Sequence, residues 1–255
     1  MRHAIDLNSD LGEGFGSWQM GDDAALLGVV TSANIACGFH AGDPATMRRT
    51  AAIAVERGIS IGAHVAYPDL RGFGRRHVEL AQEELFADVL YQIGALEGVA
   101  HSVGGSVAYV KAHGALYNEM MVDAELAQTV VSAILSYRPT LPLLVLPGLV
   151  AQRIAQQAGL PIFCEGFADR AYEPDGRLVF RNRPGAVLHD PAQVAARALR
   201  MVREGTVVAV DGSVLMLDVT TICLHGDTPG AVEIAQAVRA AMQDAGVELA
   251  PFVTI

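Results

Sequence analysis

Residues 107–113 read VAYVKAH, and this stretch decides the fold. A β-branched and aromatic run too short for a helix is a strand candidate, and this one ends on Lys111 and His113. Three other apolar runs close in the same way: NIACGFH on His40, ISIGAH on His64 and TTICLH on His225. Four of the eight histidines thus stand at one register along separate strands. Such side chains converge only if the strands run parallel. In a parallel barrel they meet at the C-terminal end, where loops build the site. The other four histidines, His3, His77, His101 and His189, read as ordinary loop or surface residues.

Strand candidates fall at residues 4–8, 33–37, 59–63, 107–112, 143–146, 161–164 and 221–224, separated by longer stretches of helical period. This is the pattern of strand–helix units around a parallel sheet. Leu85, Val89, Ile93 and Leu96, with Phe86 and Leu90 beside them, mark one buried helix face. Asp43-Pro44, Asp190-Pro191 and Thr228-Pro229 each place a capping side chain before a proline suited to a first helical turn. Asp-Gly pairs inside residues 173–180 and 207–217 predict two β-hairpin excursions. No linker or repeat interrupts the chain, so one domain spanning residues 1–255 is expected.

A net charge of −10 without any Lys/Arg-rich run excludes nucleic acid and anionic membrane as partners. A small molecule or another protein remains. No early basic-then-apolar segment and no long uninterrupted apolar run are present, which predicts a cytoplasmic location. Cys37, Cys164 and Cys223 lie far apart in apolar runs and read as reduced core thiols.

Carboxylates cluster at the same strand ends: Asp6, Asp10 and Glu13 in DLNSDLGE, Glu165 and Asp169 in EGFADR, and Asp43 and Asp227 just beyond histidines. HAGDP and HGDTP repeat the order His, Gly, Asp, Pro, and suggest loops that bring backbone amides at helix N-termini to an anionic ligand. Helix capping explains Asp43 equally well. Carboxylates, imidazoles and one ammonium in one mouth can donate and accept protons at a polar bond. Lys111 is the single lysine among 18 basic residues. A compact ammonium offers what a guanidinium does not, a point charge that fits beside a reacting oxygen. GxxxxGK[ST], a strand followed by GxGxxG, GxSxG, HExxH and CxxC are all absent, which disfavours a self-contained P-loop kinase, Rossmann dehydrogenase, nucleophile-elbow hydrolase and zincin protease.

DLNSDLGE (6–13), ANIACGFHAGDP (33–44), GAHVAYPD (62–69), KAHGALYN (111–118), EGFADR (165–170) and ICLHGDTPG (222–230) together resemble the LamB/YcsF family, the A subunits of bacterial ATP-dependent 5-oxoprolinases. The resemblance spans essentially the whole chain. It departs from the family where prolines usually follow the third-strand histidine and the fourth-strand lysine; here Val65 and Ala112 stand instead. It implies a single irregular (β/α) barrel of about seven parallel strands, of the glycoside hydrolase/deacetylase type. The implied activity is opening of 5-oxo-L-proline to L-glutamate, driven by ATP with Mg²⁺, together with partner subunits B and C.

A five-membered lactam is a resonance-stabilised amide with a poor leaving group, and phosphorylating its oxygen makes the carbon open to water. In that scheme Lys111 is a mobile charge for a carbonyl or phosphoryl oxygen. His113 or His64 moves the proton, and Asp10, Glu13 or Glu165 orients water. Arg170, with His40, Asn8, Asn118, His225 and Asp227 around the mouth, binds substrate. Two alternatives stay open: a divalent metal held by Asp10, His64 and His113 in a metal-dependent amide hydrolase or deacetylase, or a non-catalytic subunit that only delivers 5-oxoproline.

Overall fold

The computed structural model describes residues 4–253, so His3 lies outside the described residues. Strands β1 (Ala4–Leu11), β2 (Ser32–Ala36), β3 (Ser60–Val65), β4 (Val107–Ala112), β5 (Leu143–Val145) and β6 (Ile162–Phe167) pair in chain order. A two-stranded hairpin, β7 (Thr206–Val208) and β8 (Val214–Met216), leaves the barrel wall before β9 (Thr221–His225) returns to it. β9 lies between β6 and β1 and pairs in parallel with both, closing a barrel of seven parallel strands. A short β10 (Glu248–Leu249) adds to the start of β1.

Eight helices wrap this wall among the described residues: α1 (Asp23–Leu26), α2 (Pro44–Glu56), α3 (Gln82–His101), α4 (Gly114–Met120), α5 (Ala124–Tyr137), α6 (Val150–Gln157), α7 (Pro191–Glu204) and α8 (Ala231–Asp244). On α3, Leu85, Val89, Ile93 and Leu96 are all buried, as their spacing predicts. Asp43 and Asp190 cap α2 and α7, each with proline in the first turn. The expected Thr228 cap is corrected: α8 starts at Ala231 behind Gly230, whose φ of 78° suits glycine alone, and Thr228 contributes its backbone carbonyl instead. Only the second expected hairpin has a ladder. Residues 173–180 form a tight turn with a single Tyr172–Leu178 bridge, because the buried Arg170 guanidinium takes the carbonyls of Val179 and Ala186. No disulfide joins the three cysteines.

β1 and β6 run three residues further than predicted, and the reason is the barrel interior. Side chains alternate between wall and interior along each strand, and here the interior is polar. Asp6 accepts from Thr31 Oγ1 and Ser32 Oγ, both at 2.6 Å, and from Thr221 Oγ1. One layer up, Asn8 donates to Thr221 Oγ1 (2.7 Å) and accepts from Asn34 Nδ2 (2.7 Å). Asn34 also donates to Asp10 (2.8 Å) and accepts from the Tyr109 hydroxyl (2.6 Å). At the N-terminal end Phe252 packs on Tyr109 and Phe163, with ring centroids 4.9 and 4.8 Å apart, and plugs the floor.

Burial pushes the Asp6 carboxyl from 3.8 up to about 6, against its three hydroxyl donors. The folded protein therefore holds an extra proton between about pH 4 and 6, and this group's contribution is lost as pH rises through that window. The stability of the wild type relative to Asp6→Asn is expected to fall by about 3 kcal/mol between about pH 3 and 7, most of it between about pH 4 and 6, and to stay level above. Urea unfolding of both proteins across this range checks it; a pH-independent difference contradicts it.

Candidate active site

The C-terminal ends of the strands bring the charged residues together. Lys111, near the end of β4, points inward and is 2 % exposed. Its Nζ lies 3.0 Å from Asp10 Oδ1 and 3.0 Å from Glu165 Oε2. It also reaches Cys223 Sγ (3.0 Å) and Asn8 Oδ1 (3.3 Å), and sits 5.1 Å from the centre of the Phe167 ring. Burial opposes its charge, but Asp10, Cys223 and Glu165 outweigh burial and push the ammonium well above its ordinary range. It is charged and caged. The expected mobile ammonium is thereby corrected, since four groups on three other strands hold it in place.

Beside Lys111 is a histidine cluster. His64 is the penultimate residue of β3, His113 follows β4, and His40 hangs from the β2–α2 loop with Glu13 opposite. The rings of His40 and His113 stack at 3.9 Å, and His64 stands edge-on to both. His64 Nδ1 meets the Lys111 carbonyl (3.3 Å) and His113 Nε2 meets the Phe73 carbonyl (2.9 Å). Carbonyls only accept, so those two nitrogens carry the protons. The remaining lone pairs, His64 Nε2 and His113 Nδ1, then face each other at 3.0 Å. Glu13 Oε1 is 3.7 Å from His113 Nδ1 and 3.2 Å from His40 Nε2, while Asp10 Oδ2 is 3.4 Å from His64 Nε2. His64 Nε2 and His113 Nδ1 thus face each other and the two carboxylates without a donor of their own, which calls for a proton or a cation. Burial and the neighbouring imidazoles push His40 and His113 well below the ordinary histidine range. Burial, then Asp10 and Asp227, push Glu13 well above the carboxylate range. Asp10 stays well below it: burial raises it, but His64 and Lys111 prevail.

One ligand atom from each of Glu13, His40, His64 and His113 lies within 4.8 Å of the others, all four residues being buried. His64 and His113, each with its other ring nitrogen on a backbone carbonyl, fit a divalent metal; His40, whose Nδ1 has no partner, lacks that support. The expected trio of Asp10, His64 and His113 is displaced in this respect: Asp10 adjoins the cluster, but its Oδ1 is taken by Lys111 and Asn34, and Glu13 and His40 complete the group.

Part of this group floors a cavity of about 490 Å³; Glu13 and His40, both buried, do not line it. Asp10, His64, Lys111, His113, Asn118, Arg170 and His225 line it. Glu165 does not; wholly buried, it lies behind Lys111, whose Nζ is 3.0 Å from its Oε2. Asn8 is buried a layer below, where it supports Lys111 rather than meeting a ligand. Arg170 is tethered to the Val179 and Ala186 carbonyls, and burial lowers its guanidinium to about 10. His225 is fixed by Asp169 (2.8 Å) and stacks on Phe167. Asp227 joins Arg75 and Arg181 at the rim. The amides expected to be offered by HAGDP are occupied, because Asp43 accepts from Ala45 and Thr46 itself.

Sequence reading missed Tyr117, Phe167 and the rim arginines Arg75, Arg177, Arg181 and Arg183. Tyr117 lies inside the quoted KAHGALYN and was legible there; burial, then the neighbouring Glu165, push its hydroxyl well above the ordinary tyrosine range. His77, read as ordinary, lines the same cavity and pairs with Glu119 (2.9 Å). The arginines sit on loops whose return to the mouth has no local signal.

The LamB/YcsF family model matches residues 5–255. The chain belongs to the LamB/YcsF family. Within the family it is 57% identical over 248 residues to the A subunit of 5-oxoprolinase from Paracidovorax citrulli, covering 97% of this chain and 99% of that one. It is 56% identical to the A subunit of 5-oxoprolinase from Mycobacterium avium, over 97% of this chain and 98% of the other. The crystal structure of the lactam utilization protein from Thermus thermophilus superposes with a TM-score of 0.93 at 45% identity, covering 98% of this chain and 100% of that chain.

Proposed function

We infer that this chain is the A subunit of an ATP-dependent 5-oxoprolinase and opens 5-oxo-L-proline to L-glutamate with partner subunits B and C. The observation that carries this reading is the caged, charged Lys111 flanked by Asp10 and the His64–His113 pair on the floor of one cavity. It fits an amide whose carbonyl oxygen must be polarised and whose nitrogen must be protonated. The lactam oxygen sits against the Lys111 ammonium, which stabilises the charge growing there. Transfer of the terminal phosphoryl group of ATP, with Mg²⁺, to that oxygen releases ADP and leaves the ring carbon electrophilic. Water adds to this carbon, losing its proton to a basic group of the His64–His113 pair. The C–N bond then breaks as the nitrogen takes a proton from the same cluster. Phosphate leaves when the acid forms, a second water restoring the carboxylate. Among the described residues no helix is long and apolar enough to cross a membrane.

A second reading has its own observation, the Glu13, His40, His64 and His113 group. A divalent metal held there would supply Lewis acidity and an acidified water for amide hydrolysis. One experiment separates the two. The chain is mixed with its B and C partners, and glutamate and ADP are followed from 5-oxoproline, with each component left out in turn and after chelator dialysis. Equimolar ADP and glutamate requiring all three chains are expected. Glutamate formed by this chain alone, without ADP and lost on chelation, overturns the ATP-driven reading in favour of the metal.

A further inference from the structure

The cavity exceeds what a small lactam fills. A single five-membered ring bearing one carboxylate occupies part of about 490 Å³, a volume in the range that holds much larger ligands. The excess space lies toward the rim, where a second cavity of about 370 Å³ adjoins the first. Arg75, Arg181 and Arg183 line both. They come from two loops far apart in sequence, the one after β3 and the one after β6.

Asp227, from the loop after β9, holds two of them. Its Oδ1 accepts from an Arg181 amino group at 2.9 Å and its Oδ2 from Arg75, while Thr228 Oγ1 accepts a further Arg181 bond at 3.2 Å. The Asp227 side chain is only 8% exposed, so the two guanidiniums are clamped before any ligand arrives. One carboxylate between two guanidiniums leaves a net positive charge. Each arginine has five N–H donors and spends only one amino group on Asp227, so donors remain at the junction of the cavities. Arg183 adds a third guanidinium, joined to Glu173 at 3.2 Å with its side chain 62% exposed. In a chain of net charge −10 this is a local inversion of sign. A carboxylate is satisfied by one guanidinium fork. A phosphoryl group, with three terminal oxygens and more charge, matches several.

We propose that Arg75, Arg181 and Arg183 form a phosphoryl subsite at the barrel mouth, open to the Lys111 floor. It deepens the ATP-driven reading above, on which the source of the phosphoryl group rests: the terminal phosphate of the nucleotide or the phosphorylated lactam made from it. This chain then carries the phosphate-holding half of the chemistry, although it has no P-loop.

The test is direct binding of inorganic phosphate to the full chain alone, by titration calorimetry, so that it needs no turnover and no partner. Saturable binding is expected, weakened about tenfold in Arg183→Gln and at least as much in Arg181→Gln, the loss of one charge-assisted contact each. Arg153→Gln, on the exposed side of α6, leaves it unchanged. Because Arg183 is exposed, its variant tests the subsite even if Arg181→Gln, checked by circular dichroism, is misfolded. Parallel titrations with ATP and ADP identify the source: ATP binding tighter than phosphate points to the nucleotide, phosphate binding alone to the phosphorylated lactam, and both support the subsite. Phosphate that does not bind, or binds equally to wild type and both variants, overturns it. So does weakening of 5-oxoproline binding by the same variants with phosphate unaffected, which assigns the arginines to the substrate carboxylate. A complex that makes no glutamate yet whose A chain binds phosphate through these arginines instead tells against the ring-opening reading.

Discussion

Lys111→Arg is expected to lower glutamate formation by the reconstituted complex about 10²-fold or more, even though it keeps the positive charge. The ammonium is enclosed by Asp10, Glu165, Cys223 and Asn8 at 3.0–3.3 Å under the Phe167 ring, at 2% exposure. A planar guanidinium is longer and wider, and its donors leave in one plane, whereas the four partners surround the nitrogen. The sequence alone suggests a variant that folds normally. The cage adds a stability cost of about 1–3 kcal/mol, because an overpacked interior displaces its neighbours. Glutamate release measures the first effect and urea unfolding the second, with Arg153→Lys on exposed α6 as control. Near-complete activity in Lys111→Arg makes the lone lysine incidental.

The second large effect is thermodynamic. Lys111→Met should cost roughly 3–5 kcal/mol of folding stability, because it leaves two buried carboxylates, Asp10 and Glu165, without their cation. Asp10→Asn should cost less, since Lys111 keeps Glu165. Adding Asp10→Asn to Lys111→Met then removes one of the stranded charges, so the double variant should be more stable than Lys111→Met alone. Urea midpoints of the four proteins complete the cycle, and the coupling should reach about 1–3 kcal/mol. Simple additivity would mean that the contacts around Lys111 are not energetically linked.

Legibility differed by residue. His40, His64, His113 and His225 were readable because each closes an apolar run, and parallel strands put such ends on one side; the expected common register does not hold, since His64 pairs with Lys111 and His40 lies four residues beyond the end of β2 at Ala36. Glu165 was readable as charged but misjudged as a mouth residue: its strand continues past it, so it faces the closed interior. β1 and β6 ended too early in the sequence reading for the same reason, since Asp10 and Glu165 look like loop residues unless the barrel core is known to be polar. The arginine rim was invisible. Arg75 and Arg181 are more than a hundred positions apart, and only the packing of two loops around Asp227 joins them.

Strand and helix order, the parallel sense and the end of the barrel that holds the chemistry follow from the sequence by itself, because apolar period, proline-led caps and strand-end histidines are local properties. Tertiary structure alone decided which partner each charge meets. Whether Lys111 is mobile or caged, whether Glu13 or Asp10 completes the histidine group, and whether Asn8 touches a ligand or supports one that does depend on distances across the barrel. Those distances arise only when β9 closes against β1, and electrostatic and hydrogen-bond energies change steeply over the few ångströms involved.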